Sequence, residues 1–521
     1  MTSQRYIIGV DIGTSSTRSV LFNFRGEAIG KHQIRYSLYA PVAGVAEQNP
    51  DAIFEAVIKT VRQVMLDSLI QPCELLCLSF SAAMHSLIAV DAQGGLLTQC
   101  ITWADNRGAQ WAKAIQRSPQ RHTLYQRTGT PIHPMSPLVK ICWLYHEHPE
   151  IFARTAKFIS IKEYIFYRLF HRFVVDDSTA STTGLLNIQT RCWDPEALNI
   201  AHITEDHLSH LVPVTYVLQD LEPALAEAMG LLPTTPVVVG ASDGPLSNLG
   251  LGAIAPGVAA MTVGTSGAIR TTVPQPLTDP HERLFCYILD DHHWVVGGAV
   301  NNGGVLLQWL RDQLAIADHY EALLELAVTV PAGADGLIFH PYLLGERSPL
   351  WQPEARGSFF GLTLNHHKAH LVRAVLEGIA LNLYKVFQVL QSLADPIRSI
   401  RAAGGFMANP VWRQIVSDVF NYELIIPEQH ESSGLGAAIL GLYALNVIDA
   451  LDVSCEWTAD HSIFRPIAQN VAVYRRILPI YERLLDQFQG EYASIAELQN
   501  DLSGHATTIL LQPEADEIFH H

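Results

Sequence analysis

The sequence predicts an α/β protein of two large domains flanking a cleft, and three observations lead there. A chain of 521 residues is too long for one hydrophobic core. Its apolar, strand-like runs end repeatedly on Gly-rich turns, the place where α/β proteins seat their ligands. One such unit occurs twice, as Val10-Asp-Ile-Gly-Thr-Ser15 and Met261-Thr-Val-Gly-Thr-Ser266, so one half of the chain echoes the other. Ala255-Pro256-Gly257 offers a break between the halves. The expected division is residues 1–254, residues 255–450, and a helical extension with a tail over 451–521.

Residues 6–11 read as a buried strand that ends on a carboxylate. The loop 12–17 follows, rich in Gly and hydroxyls, and residues 19–23 return as a second strand before a turn at Arg25-Gly26. Asn49-Pro-Asp51 opens an amphipathic helix to about Asp67, with Asn49 or Asp51 as its cap. Residues 74–80 form the next strand, closing on Ser81-Ala-Ala-Met-His85. Strand 237–240 runs into Ala241-Ser-Asp243-Gly244, and strand 258–263 into Gly264-Thr-Ser-Gly267. Arg401-Ala-Ala-Gly404-Gly405 repeats the pattern. Past about Gly490 the patterning weakens, as for a docked helix or a frayed end.

Composition excludes several function classes. Hydrophobic residues make up 48% and charged residues 16%, the balance of a globular chain. A net charge of −17 argues against a nucleic-acid binder, which needs a basic face. It leaves room for an anionic small substrate, because a local cluster of Arg or Lys in a cleft outweighs distant, screened surface charge. The first residues lack the basic end and apolar run of a signal peptide. The most apolar stretch, 237–264, is broken by Asp243, Asn248 and several Gly and Pro, so buried sheet and loop are expected and no membrane span. Seven irregularly placed cysteines fit reduced thiols in a cytoplasmic protein. Cys73 and Cys77 have no second pair at finger spacing and read as core residues.

The chemistry-bearing residues cluster at the strand ends. At the first, Asp11 with Gly13-Thr14 can hold a hydrated Mg²⁺ while the following N–H groups and hydroxyls face phosphate oxygens; an ordinary hairpin turn uses the same residue types. Gly264-Thr265-Ser266-Gly267 supplies the same chemistry from the other half, and a triphosphate clamped between two domains needs one loop from each. Neither G-x-x-x-x-G-K-[ST] nor G-x-G-x-x-G occurs. The nearest partial, Gly434-Leu-Gly436-Ala-Ala, suits close helix packing. Gly404-Gly405 permits close approach to a flat ring, with Asn409 in reach of adenine or ribose; Asn409 also suits a helix cap ahead of Pro410. Gly303-Gly304, ahead of Gln308-Trp309, would add another close wall.

Asp243 is the sharpest single residue, an acid in an apolar, Gly-flanked strand end where burial disfavours charge. Such carboxylates serve as bases, metal ligands or caps. Gly240-Ala-Ser242-Asp-Gly244 also fits the G-x-S-x-G elbow of α/β-hydrolases, with Ser242 as nucleophile, but that leaves the Asp11 and Gly264 loops without a purpose.

Asp11-Ile-Gly-Thr, Trp103-Ala-Asp105-Asn-Arg107, residues 240–243, Gly264-Thr-Ser-Gly267 and Gly404-Gly405 resemble, in that order, the FGGY carbohydrate kinases. The likeness runs from about residue 5 to about residue 450 and implies two ribonuclease-H-like domains of the actin-like ATPase superfamily, with ATP and sugar between them. Ser81-Ala-Ala-Met-His85-Ser, Arg127-Thr-Gly-Thr-Pro-Ile-His-Pro134, Ile161-Lys-Glu-Tyr-Ile165, Asn301-Asn-Gly-Gly304 and His340-Pro-Tyr-Leu-Leu-Gly-Glu346-Arg347 are most similar to the branch that phosphorylates gluconate. Met84-His85 replaces the Arg-Glu pair of glycerol kinases and is shared with xylulose kinases, the nearest rival. Arg18 stands where many members carry Lys.

The resemblance implies that Asp243 is the general base and that Asp11 contacts Mg²⁺ through water. Thr14, Gly264, Thr265, Gly304, Gln308, Gly405 and Asn409 fall on nucleotide-contact positions. Met84, His85, Trp103, Asp105 and Arg107 fall on the sugar side. The partners it implies are ATP and a small sugar acid, with no nucleic acid or membrane; a homodimer stays open. An actin-like ATPase without a sugar pocket would share the fold. A sugar acid needs a cation for its carboxylate. Arg107 is the first candidate, able to grip it with two parallel hydrogen bonds, and Lys162 and Arg347 follow; Arg107 could instead pair with Asp105 and shape its loop.

Overall fold

The computed structural model describes residues 5–42, 44–427, 431–458 and 461–502. β1 (Tyr6–Ile12) and β2 (Ser16–Asn23) form an antiparallel hairpin, which β3 (Ala28–Arg35) extends. β4 (Leu75–Ala82) runs parallel to β1. β5 (Val217–Leu218) and β6 (Val237–Ser242) close the sheet, with β6 parallel to β4, giving the order β5-β6-β4-β1-β2-β3. All six residues of β6 are buried, the continuous apolar run of a strand covered on both faces. On one face lies α1 (Pro50–Asp67), burying Ile53, Phe54, Val57, Val61 and Val64. The Asn49 side chain accepts from the N–H groups of Asp51 and Ala52 at 2.9 and 3.2 Å, a cap worth about 1 kcal/mol.

The second half repeats this plan. β7 (Val258–Val263) and β8 (Gly267–Val273) make the hairpin. β9 (Phe285–Ile288) and β10 (Trp294–Val300) extend it, β10 lying antiparallel to β8. β11 (Ser399–Ala403) runs parallel to β7 and β12 (Leu424–Pro427) parallel to β11; β13 (His461–Phe464) forms the far edge. The order β9-β10-β8-β7-β11-β12-β13 therefore matches the first sheet strand for strand from β10 to β13. The repeated sequence units are the tips of equivalent hairpins, and the architecture is the paired ribonuclease-H-like α/β fold.

Helices join the two sheets. α2 (Pro137–Glu147) carries the buried Lys140, and α3 (Asp243–Gly250) starts directly from β6. α4 (Val305–Asp312), the long α5 (Lys368–Leu393) and α6 (Pro410–Phe420) pack with the second sheet. α7 (Ser432–Ala444), although late in the chain, crosses back to lie on α3, β1 and β4. Gly436 makes that crossing possible: a Cβ there would stand 2.0 Å from the Leu246 carbonyl oxygen. The close contact buries Leu246, Leu249, Leu435, Ile439 and Leu440 completely or nearly so, each contributing roughly 1.5–3 kcal/mol.

Three local expectations change. Stretch 237–264 contains a helix as well as sheet and loop, because Ser242 stands at the cap position and Asp243 in the first turn. Pro245 is tolerated there since first-turn N–H groups have no intrahelical partner. The first hairpin loop narrows to residues 13–15, because β2 already begins at Ser16. The 451–521 segment supplies edge strand β13 as well as α8 (Ala468–Gln489), which packs on α6, and α9 (Tyr492–Leu502); residues 503–521 lie outside the described residues. Cys77 is buried in β4 while Cys73 is exposed, so the two thiols do not share one environment. No helix among the described residues is long and apolar enough to cross a membrane.

Candidate active site

Asp11 and Asp243 face one another electrostatically from the ends of β1 and β6. Burial pushes the Asp11 carboxyl above its ordinary range, and Arg18, its cross-strand partner, and the Ser81 hydroxyl at 2.9 Å pull it back. Arg18 is itself held by Glu431 at 2.5 Å. Asp243 is pushed up to about 6, first by burial and then by the negative charge of Asp11; Arg270, the Gly244 N–H and Arg347 oppose the rise. The Gly244 N–H donates to Asp243 Oδ1 at 2.7 Å, which orients the carboxylate at the start of α3. Ser242 cannot serve as a hydrolase nucleophile: it is fully buried, and its hydroxyl is 3.0 Å from that of Ser178.

Two hairpin tips flank these carboxylates. At the first, Gly13 N–H donates to the Ser16 carbonyl, and the Thr14 hydroxyl accepts from Trp103 Nε1 at 2.9 Å. At the second, Gly264 and Thr265 are exposed and strapped to the start of α4. Gly304 donates to the Gly264 carbonyl at 2.7 Å, and Gly303 and Val305 donate to that of Thr265 at 3.1 and 3.2 Å. Cβ atoms at Gly303 and Gly304 would fall 2.8–2.9 Å from this loop's backbone, so only glycine lets it lie there. The N–H groups at the start of α4 are spent on holding this loop, so the exposed Thr265 is what the tip itself offers to a ligand. Gln308 is half-buried on α4. Gly405 follows β11, and Asn409 caps α6, its Oδ1 accepting from Val411 N–H at 2.8 Å, which leaves the Nδ2 end free of that duty.

Of the residues expected on the sugar side, Met84 comes next to Asp243. Met84 lies over Gly244, its Cε 3.0 Å from where a Cβ would be. His85 adopts φ 67° and is buried. Its Nδ1 is 2.8 Å from the Thr182 carbonyl, which can only accept, so Nδ1 carries the proton and Nε2 presents a lone pair, 3.5 Å from the Tyr287 hydroxyl. Burial and the nearby Lys140 charge hold His85 down to about 3, hence neutral. Lys140, on α2, donates to the His85 carbonyl at 2.5 Å and fixes its unusual backbone.

The other residues expected on the sugar side, Trp103, Asp105 and Arg107, are each held by neighbouring groups. Trp103 bridges to the first tip through Thr14 and carries the Arg347 guanidinium 4.5 Å over its ring. Asp105 is buried, accepting from Ala46 N–H at 3.0 Å and from Arg107 Nε at 2.9 Å. Arg107 also pairs with Glu47 and lies 4.4 Å over Trp143. Its guanidinium is thus neutralised twice over and ties loop 103–107 to the strand at Glu47. Lys162 is likewise committed, 2.5 Å from Asp176 in the core.

Sequence reasoning missed Arg270, Tyr287 and Lys140. A lone arginine in the apolar run Ala268-Ile-Arg270-Thr-Thr was the signal available for the first. Tyr287 and Lys140 sit in segments whose residue types match ordinary core strand and helix, and they carried none.

Fold and site together are those of a two-domain kinase. Residues 6–250 match the N-terminal domain of the FGGY family of carbohydrate kinases, and residues 259–445 match its C-terminal domain. The chain belongs to the FGGY family of carbohydrate kinases. It is 50% identical over 514 residues to the gluconokinase of Bacillus licheniformis, across 96% of this chain and 99% of that one. The gluconate kinase structure from Lactobacillus acidophilus is 37% identical with a TM-score of 0.89, covering 94% of this chain and 99% of that chain. A ligand-bound xylulose kinase structure from the same organism is 36% identical at the same TM-score, with the same coverage of both chains. The backbone therefore does not separate the two acceptors.

Proposed function

We propose that the protein transfers the terminal phosphoryl group of ATP to the primary hydroxyl of gluconate, giving 6-phosphogluconate and ADP. Asp243 carries this assignment: a buried carboxylate at the end of β6, oriented by the Gly244 N–H and pushed up to about 6 by burial and by Asp11. The end-to-end likeness to a gluconokinase supports gluconate as the acceptor.

In the reaction Asp243 accepts the hydroxyl proton as the substrate oxygen attacks phosphorus, and the bond from phosphorus to the ADP oxygen breaks. General-base assistance of this kind contributes about 10²–10⁴-fold, and the rest is alignment and charge neutralisation. The tips at 13–15 and 264–267 cradle the triphosphate, with Thr14, Gly264, Thr265 and Gly304 nearest. Gly405, Asn409 and Gln308 border the nucleoside. Neutral His85 offers Nε2 as an acceptor for substrate hydroxyls, while Met84 and Trp103 wall the carbon chain. Asp11 and Asp243 suit a hydrated divalent cation, since both are buried and the charge of Asp11 raises the cost of charging Asp243. Asp11, reached through water, would hold Mg²⁺, which when bound neutralises charge on the phosphates.

Residues 1–254 in this scheme bring the sugar loop, the first tip and both carboxylates, and 255–450 bring the second tip and the nucleoside walls. All the named groups come from one chain. ATP and a sugar acid as substrates fit a cytoplasmic enzyme. A coupled ADP-release assay across gluconate, xylulose, glycerol and no acceptor tests the function. Gluconate should give the highest kcat/KM by at least tenfold. Faster turnover of xylulose would move the protein to the pentulose kinases, and acceptor-independent ATP hydrolysis alone would make it an ATPase.

A further inference from the structure

The described residues include three arginines that are buried, Arg270, Arg347 and Arg373. Arg373 is balanced by Glu377 at 2.6 Å. Arg270 and Arg347, each 8% exposed, have no carboxylate within ion-pair distance among the described residues. The Arg270 Nε has no partner, and its two terminal nitrogens make only long contacts, 3.5 Å to the Gly244 carbonyl and 3.3 Å to the Thr262 hydroxyl. Arg347 donates through Nε to Asn301 at 2.7 Å and through Nη2 to the Val300 carbonyl at 3.2 Å. Its neighbour Glu346 is satisfied elsewhere, by Asn301, Asn302, Asn382 and the Arg347 main chain.

A buried cation with no carboxylate at ion-pair distance is costly, so a pair of them at one place marks a site whose counter-charge arrives with a ligand. Given the sugar-acid acceptor proposed above, we propose that Arg270 and Arg347 together receive the carboxylate end of the substrate and set the preference for an acid over a neutral sugar. Arg347 lies on Trp103, and Arg270 reaches across from the second half to Gly244, beside Met84 and next to the base. Each is also within electrostatic reach of Asp243, and Arg347 of Arg270 and His85. Both therefore border the sugar-side wall, whereas the hairpin tips are left to the phosphates. Arg107 is a poorer candidate for this task because Asp105 and Glu47 already neutralise it through Nε and Nη2.

The same guanidinium chemistry would also suit the phosphoryl group in flight, and the two sources separate kinetically. Full-length wild type, Arg270→Gln and Arg347→Gln are compared by calorimetric gluconate binding without nucleotide and by steady-state kinetics. Arg270→Lys and Arg347→Lys, which keep a charge, serve where a Gln variant fails to fold. For carboxylate binding, the gluconate Kd should rise at least tenfold in each Gln variant, with ATP KM unchanged; a Lys variant should show a rise in Kd of at least threefold. A smaller rise in Kd, or a fall in kcat with Kd unmoved, assigns the pair to the phosphoryl group and overturns the proposal. A tenfold rise in gluconate Kd for Arg107→Ala overturns it too. If wild type itself fails to phosphorylate gluconate, the proposed function falls and the carboxylate assignment with it.

Discussion

Asp243→Asn should sharply lower turnover and make the protein more stable. Asn keeps the Oδ1 that accepts from Gly244 N–H at 2.7 Å, so shape and orientation survive, but it cannot take a proton. Loss of the base should lower kcat by about 10²–10⁴-fold, or about 3–5 kcal/mol of transition-state stabilisation, with ATP binding little changed. The stability effect follows from the raised pKa. Folding lifts Asp243 from its ordinary 3.8 to about 6, so the folded state holds the proton more tightly than the unfolded chain does. Below about pH 4 both states carry the proton and the residue costs nothing. The cost grows as pH climbs from about 4 to about 6 and is complete above, at about 3 kcal/mol by linkage. Asn is neutral throughout, so the variant should exceed wild type in urea stability at pH 7.5 by up to that amount, with the gap closing toward pH 4. For wild type, kcat/KM should fall about tenfold per pH unit below about 6, because only the deprotonated base works. Near-normal kcat in the variant would remove Asp243 from catalysis. An Asn variant less stable than wild type at pH 7.5 would refute the claim that this carboxylate is held against its solvation preference.

Gly303→Ala should raise the KM for ATP about tenfold and leave gluconate binding alone, because its Cβ would press 2.8 Å against the Ser266 carbonyl and push the second tip off α4; unchanged ATP kinetics would show that the loop's seat is not needed. Arg107→Ala should cost about 1–3 kcal/mol in urea unfolding by leaving buried Asp105 short of donors, while the gluconate KM moves less than threefold; unaltered stability would remove its loop-fastening role.

Much of the frame is written locally. Asn49 ahead of Pro50 and Asn409 ahead of Pro410 each cap a helix, as the residue types foretell, since a side-chain acceptor followed by a residue lacking an N–H suits the first turn. The two Gly-Thr-Ser tips announced equivalent hairpins, and the apolar, Gly-flanked strand end announced a buried carboxylate at Asp243. These signals hold because backbone geometry and capping depend on residues a few positions apart. The helix that begins at Asp243 was less legible, because Gly244-Pro245 resembles a turn until the packing of α7 supplies a partner for it.

Charge balance was decided only in three dimensions. The sequence by itself determined that two halves repeat one α/β plan and that each carries a strand-end tip rich in Gly and hydroxyls. It could not determine which arginine is spent on structure. Arg107 meets Glu47 across 60 residues of chain and is neutralised, whereas Arg270 and Arg347, from different elements of the second half, reach the cleft without a carboxylate. An ion pair depends on which distant side chains share a desolvated space, and that is fixed by how the sheets and crossing helices pack, not by the identity of either residue.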